Sequence, residues 1–80
     1  MMKINFDNFD ELKQYRIFKC LLKINYIQAV YDNGKYSLDM GPDFYSKSYK
    51  DFSKALQDLI TQIWDNLSDE QKKEIVEILK

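Results

Sequence analysis

Three aspartates, Asp32, Asp39 and Asp43, flank the Asn33-Gly34 and Gly41-Pro42 steps, and Cys20 is the one thiol of the sequence. Oxygen ligands on a turn suit a hard cation such as Mg²⁺ or Ca²⁺, and a thiol becomes a nucleophile where something lowers its pKa. The surroundings support neither chemistry. The aspartate spacing matches no ligand loop, so solvated turn acids are expected. Cys20 alternates with Phe18, Leu22 and Ile24 at period two, which points to an inert, buried thiol. Histidine is absent from all 80 residues, which removes imidazole base catalysis, Ser-His and Cys-His pairs and His ligation. The two glycines are isolated turn residues and form no phosphate cradle. No catalytic residue, no metal and no cofactor is expected, and the chain reads as non-enzymatic.

What remains is the chemistry of contact. Residues 1–12 hold one Lys against Asp7, Asp10 and Glu11, residues 13–54 hold eight basic groups against four acidic ones, and residues 55–80 hold three Lys against six carboxylates. A basic middle thus lies between acidic ends, although the net charge is only −1. Lys13, Arg16, Lys19 and Lys23 surround Tyr15; Lys47, Lys50 and Lys54 surround Tyr45 and Tyr49. Cations interleaved with rings can track phosphates and stack on bases, and aromatics also anchor protein interfaces. The residues expected to meet a partner are Phe44, Tyr45, Lys47, Tyr49, Lys50 and Lys54, together with Glu70, Glu74 and Glu77 on the outer face of the last helix. A second copy of the chain is a further candidate partner, with Ile75, Ile78 and Leu79 pairing across a two-fold axis.

These side chains need elements to hold them. NFDELKQY, residues 8–15, suits a short N-terminal helix with Asn8 as cap and Glu11 at the capping-box position. Carrying that helix to Leu22 would place Phe9, Leu12, Tyr15, Ile17, Phe18, Cys20 and Leu21 all round its axis. Period two fits better, with Phe18, Cys20, Leu22, Ile24 and Tyr26 on one side, and predicts a strand over about 17–32. Asn33-Gly34 supplies a type I′ turn that sets Asp32 opposite Lys35, Tyr31 opposite Tyr36, Ala29 opposite Leu38 and Ile27 opposite Met40. The face Ile27, Ala29, Tyr31, Tyr36, Leu38 and Met40 is expected to be buried. Since the apolar parity changes between Tyr26 and Ile27, a β-bulge or break is expected over 24–27.

The second strand covers 35–40, and Gly41-Pro42 ends it. Residues 44–47 then form a third short strand or an extended connection. Ser48 with Asp51 marks a capping box ahead of a helix over 49–66, whose Phe52, Ala55, Leu56, Leu59, Ile60, Ile63, Trp64 and Leu67 make an unbroken apolar stripe. Ser68 with Gln71 caps a last helix over 69–79. The fold expected is α+β: a short helix, an antiparallel sheet of two or three strands, and helices on one face of it, with residues 1–80 as one small domain.

A chain of this length buries only about 60–65% of its unfolded surface, so modest stability is expected and a partner would complete the core. Apolar residues at 45% and charged residues at 31% suit a folded, water-exposed chain. No apolar run approaches the roughly 18–20 residues that cross a bilayer. With a lone cysteine and no leader pattern, a cytoplasmic location is expected.

INYIQAVYDNGKYSLDM followed by SYKDFSKALQDLITQIW resembles the strand, Gly-x-Tyr strand and capped Ala-Leu helix of HicB-type antitoxin domains, with Gly34, Tyr36, Ser48, Ala55 and Leu56 at the matching places. Where those domains carry a Pro-Gly-Cys turn, this chain has MGPDF. The chain is also similar in style to small phage-encoded anti-defence proteins, the anti-CRISPR inhibitors: under 100 residues, sheet plus helices, AT-rich in its residue usage, without catalytic groups. That resemblance implies an inhibitor from a phage or mobile element that blocks a groove or interface of a host nuclease. The net charge of −1 separates the chain from strongly acidic groove mimics. The alternative is a nucleic-acid-binding regulator, antitoxin or repressor-like, using the basic segment 13–54.

Overall fold

The computed structural model describes residues 4–23 and 26–80. In order these form α1 (Glu11–Leu22), β1 (Gln28–Asp32), β2 (Lys35–Asp39), α2 (Phe52–Ile63), a 3₁₀ turn over Trp64–Asn66, and α3 (Asp69–Leu79). This is a small α+β fold with a two-stranded antiparallel sheet.

The first helix corrects the expected boundaries. Asp10, not Asn8, caps it, with Oδ1 accepting the Lys13 N–H at 2.9 Å. Asn8 takes a left-handed φ of 57° in the turn before it. The helix then runs on to Leu22, so the strand expected from residue 17 begins instead at Gln28. Ile17, Cys20 and Leu21, at i, i+3 and i+4, are buried, and half-buried Phe18 sets its ring edge-on to Phe52 at 5.8 Å. Apolar residues do lie all round the axis, and the helix accommodates this by leaving Leu12, Tyr15 and Leu22 in solvent at 65%, 59% and 44% exposure. The bulge expected over 24–27 falls partly outside the described residues, at 24 and 25. The change of apolar parity coincides with the passage from helix to strand between Leu22 and Gln28.

The hairpin has the register that Asn33-Gly34 predicts: Asp32 faces Lys35, Tyr31 faces Tyr36, and Ala29 faces Leu38. Asn33 and Gly34 sit at φ 54° and 75°, the left-handed pair a type I′ turn requires. The expected buried face is only half covered. Ile27 and Leu38 are buried and Tyr36 and Met40 partly so, whereas Ala29 is exposed and Tyr31 is 65% exposed. The reason is the position of α2, which packs on β2 and meets Tyr36 through Phe52 at 5.9 Å. β1 overhangs the helix layer, and Tyr31 rests on the Tyr36 ring at 4.7 Å.

Residues 44–49 run antiparallel to β2 on its other side without forming a strand over 44–47. Two isolated bridges tie them, Asp39 to Tyr45 and Tyr36 to Tyr49, so three steps along β2 match four along this segment. The extra residue is accommodated at Ser46. Its N–H donates to the Leu38 carbonyl, and its Oγ accepts the Leu38 N–H at 2.8 Å and donates to the Lys47 carbonyl. A serine hydroxyl thus stands where a regular ladder would use backbone.

α2 starts at Phe52 rather than at 49, with Asp51 in the cap position and no side-chain cap bond, so Ser48 is not the cap. The helix tightens into the 3₁₀ turn at Trp64. Its stripe is core, Ala55, Leu56, Leu59, Ile60, Ile63, Trp64 and Leu67 all being buried. α3 has the expected bounds and the full capping box, Ser68 Oγ accepting the Gln71 N–H and Gln71 Oε1 accepting the Ser68 N–H. It packs on α1 and contributes Ile75 and Ile78 to the same core, so those two side chains are taken up within the chain and cannot pair helices across a two-fold axis.

Candidate interaction surface

The 3.6-residue period of α1 gathers Leu12, Tyr15, Arg16, Lys19, Leu22 and Lys23 on one outward stripe, at i, i+3, i+4, i+7, i+10 and i+11. Three are apolar or aromatic and exposed, and three carry positive charge. Lys19 Nζ lies 5.2 Å from the centroid of the Tyr15 ring, within cation–π range. Beside this stripe a groove of about 300 Å³ opens between α1 and α3. Tyr15, Arg16, Lys19 and Lys23 form one wall and Glu74 and Glu77 the other.

Cys20 lies at the floor of that groove. The residue is buried, and its thiol donates to Glu74 Oε2 at 2.7 Å. Burial, then the hydrogen bond and the negative charge of Glu74, push its pKa up to about 12. At pH 8 this leaves about a thousandfold less thiolate than an ordinary cysteine. Ellman's reagent at pH 8 is therefore expected to modify the native protein orders of magnitude more slowly than the protein in denaturant. Comparable rates would show that the thiol is open and ionised.

The residues expected to meet a partner fall into separate places. Tyr45 is 61% exposed, but Phe44 is half-buried against the core. Lys47, Tyr45 and Tyr49 are brought together by α2. Asp58 Oδ2 accepts the Lys47 N–H at 3.0 Å and the Tyr49 hydroxyl at 2.9 Å, and Gln62 Nε2 donates to the Tyr45 carbonyl and to Asp58 Oδ1. Burial works to raise the Asp58 pKa, but the Lys47 N–H, the Gln62 amide and the Tyr49 hydroxyl outweigh it and hold the carboxyl below its ordinary value. Tyr49 is pushed above the usual phenol value, first by its bond to Asp58 and then by burial.

Lys50, Lys54 and Glu70 are exposed and make no side-chain hydrogen bond or ion pair among the described residues. Glu74 and Glu77 face the cations of α1, Glu74 standing 4.0 Å from Lys23, while Glu77 holds Lys80 at 3.0 Å. Asp39 uses Oδ1 to accept the Gly41 N–H at 2.7 Å, and among the described residues no three acidic or thiol side chains gather around a metal-sized site. The basic cluster around Tyr15 was visible in the sequence. Its union with Leu12 and Leu22 was not, because those positions share a face only on a helix. Asp58 and Gln62 lie on the polar side of α2 and carry no sequence signal of their role.

No protein-family model matches this chain, and comparison with curated proteins and with solved structures finds no significant relative. Among the described residues no helix is long and apolar enough to cross a membrane.

Proposed function

We propose that this chain is a non-enzymatic protein-binding module of phage or mobile-element type, which inhibits a CRISPR effector or another defence nuclease in the host cytoplasm by occluding one of its surfaces. The observation that supports a protein partner is the α1 stripe. Leu12, Tyr15 and Leu22 stay in water on a helix that has a core to pack against, which costs hydrophobic free energy unless something covers them. Arg16, Lys19 and Lys23 flank them, so the surface on the target carries apolar ground with carboxylates at its edge.

A nucleic-acid-binding regulator, of antitoxin or repressor kind, is the second reading. Lys19 against the exposed Tyr15 ring favours it. Glu74 and Glu77 oppose it, since two carboxylates facing three cations leave little net attraction for a phosphate backbone. Pull-down and cleavage assays against a panel of CRISPR effectors and defence nucleases test the proposal. Capture and inhibition by the wild type are expected, with at least a tenfold loss of affinity in Leu12→Ala/Tyr15→Ala at an unchanged melting temperature. Failure to bind or inhibit any of them removes the inhibitor reading, and a low-salt gel shift with DNA or RNA would put the regulator in its place.

A further inference from the structure

We propose that β1 is a self-pairing edge, through which two copies of this chain join into one continuous sheet about a two-fold axis at Val30. The two edges of the sheet differ. On the side of β2 away from β1, the backbone groups of Tyr36, Leu38 and Met40 are engaged by residues 44–49: Tyr36 exchanges hydrogen bonds with Tyr49, Leu38 bonds Ser46, and the Met40 N–H donates to Phe44. The register sets Tyr31 opposite Tyr36 and Ala29 opposite Leu38. In an antiparallel pair, backbone groups of facing residues point the same way relative to the pair, inward at one pair and outward at the next. Ala29 and Tyr31 therefore turn both their N–H and their C=O groups away from β2, and among the described residues nothing takes them up.

The outer edge at residues 45–47 is closed in contrast. Gln62 caps the Tyr45 carbonyl, Asp58 caps the Lys47 N–H, and the extra residue at Ser46 breaks the ladder. β1 has none of the devices that protect an open edge: no proline, no lysine and no bulge, and only Asp32 at its turn end carries charge.

The five residues QAVYD also suit themselves as partner. With Val30 on the axis, Ala29 faces Tyr31 of the second copy and exchanges two hydrogen bonds with it, and symmetry supplies two more. The same register lays a large Tyr31 ring over a small Ala29, sets Val30 against Val30, and places Asp32 opposite Gln28, so that no like charges meet across the axis. Ala29, Val30 and Tyr31 are exposed and available for it. The pairing concerns a surface other than the α1 stripe, so the two proposals stand or fall separately.

Sedimentation equilibrium over a range of concentrations, with amide exchange at residues 29 and 31, tests the pairing. The mass is expected to rise from that of the 9.6 kDa monomer towards twice that value with concentration, and the Ala29 and Tyr31 amides to become protected as it does. Ala29→Pro removes an outward N–H without touching the β1–β2 bonds, and Val30→Lys sets two cations against each other on the axis; each is expected to give a folded monomer. Three results would overturn the proposal: a wild type monomeric up to millimolar concentration, a dimer that persists in both folded variants, or protection of residues 29 and 31 that appears only when a different protein is added.

Discussion

Leu21→Ala is expected to cost about 2–5 kcal/mol, whereas Leu22→Ala, one residue on, should cost under about 1 kcal/mol. Leu21 is wholly buried in the core shared by α1, α2 and α3, and truncating it leaves a cavity that close-packed neighbours fill only in part. Leu22 lies on the outward stripe and loses little on truncation. A domain of this size draws only about 3–5 kcal/mol from its core, so the first change should leave much of the protein unfolded at room temperature. Urea denaturation followed by far-UV circular dichroism reads both. If residues 17–22 formed a strand at period two, Leu22 would share the buried side with Phe18 and Cys20 and the order of the two losses would be reversed.

The second large effect is expected at Asp58. Its carboxylate holds the Lys47 N–H and the Tyr49 hydroxyl and joins Gln62, so Asp58→Ala leaves these groups without their partner and loosens residues 45–49 from α2. A loss of about 1–3 kcal/mol follows. The pH profile should change with it. Because the folded carboxyl titrates below its ordinary value of 3.8, its contribution is complete above that value and is lost as pH falls through the lower folded value. Tyr49 has the opposite sign. Its phenol is raised above 10.0, so its contribution is complete below that pH and disappears as pH rises through the folded value. Melting temperatures across the acid and alkaline ranges should show both limbs in the wild type and weaker ones in Asp58→Ala, which keeps the alkaline loss that the raised Cys20 thiol contributes. Identical profiles for the two proteins would remove Asp58 from this role.

The parts of the fold that sequence reveals are those in which one local device decides. Asn33-Gly34 has few alternatives to a type I′ turn, and the hairpin register follows from it. Ser68 with Gln71 starts α3 where expected, and the eight-residue stripe of α2 leaves no doubt about its period. α1 was misleading because its composition satisfies two periods at once, and the choice belongs to tertiary packing: Ile17 and Leu21 are buried in the core that α1 shares with α2 and α3, while Leu12 and Leu22 stay exposed. The coverage of the sheet was also hidden. Nothing in Ala29 or Tyr31 says that the helices stop at β2. Of the candidate site, the exposure of Tyr45 and the cations around Tyr15 were legible. The bonds by which Asp58 and Gln62 close one sheet edge depend on residues 11 to 17 positions away, beyond the reach of any local pattern.

The rings of Tyr31, Tyr36, Phe52 and Phe18 touch in succession, from the overhanging strand through α2 to α1. Tyr31 is therefore open to water yet already leans on a ring that is itself wedged in place. A side chain that is free to rotate surrenders about 0.5–1.5 kcal/mol of rotamer entropy when a partner covers it. Tyr31 gives up part of that freedom when the chain folds, so the overhang is stiffened before any encounter, and contact made there begins with a smaller entropic penalty than an unsupported tyrosine would carry.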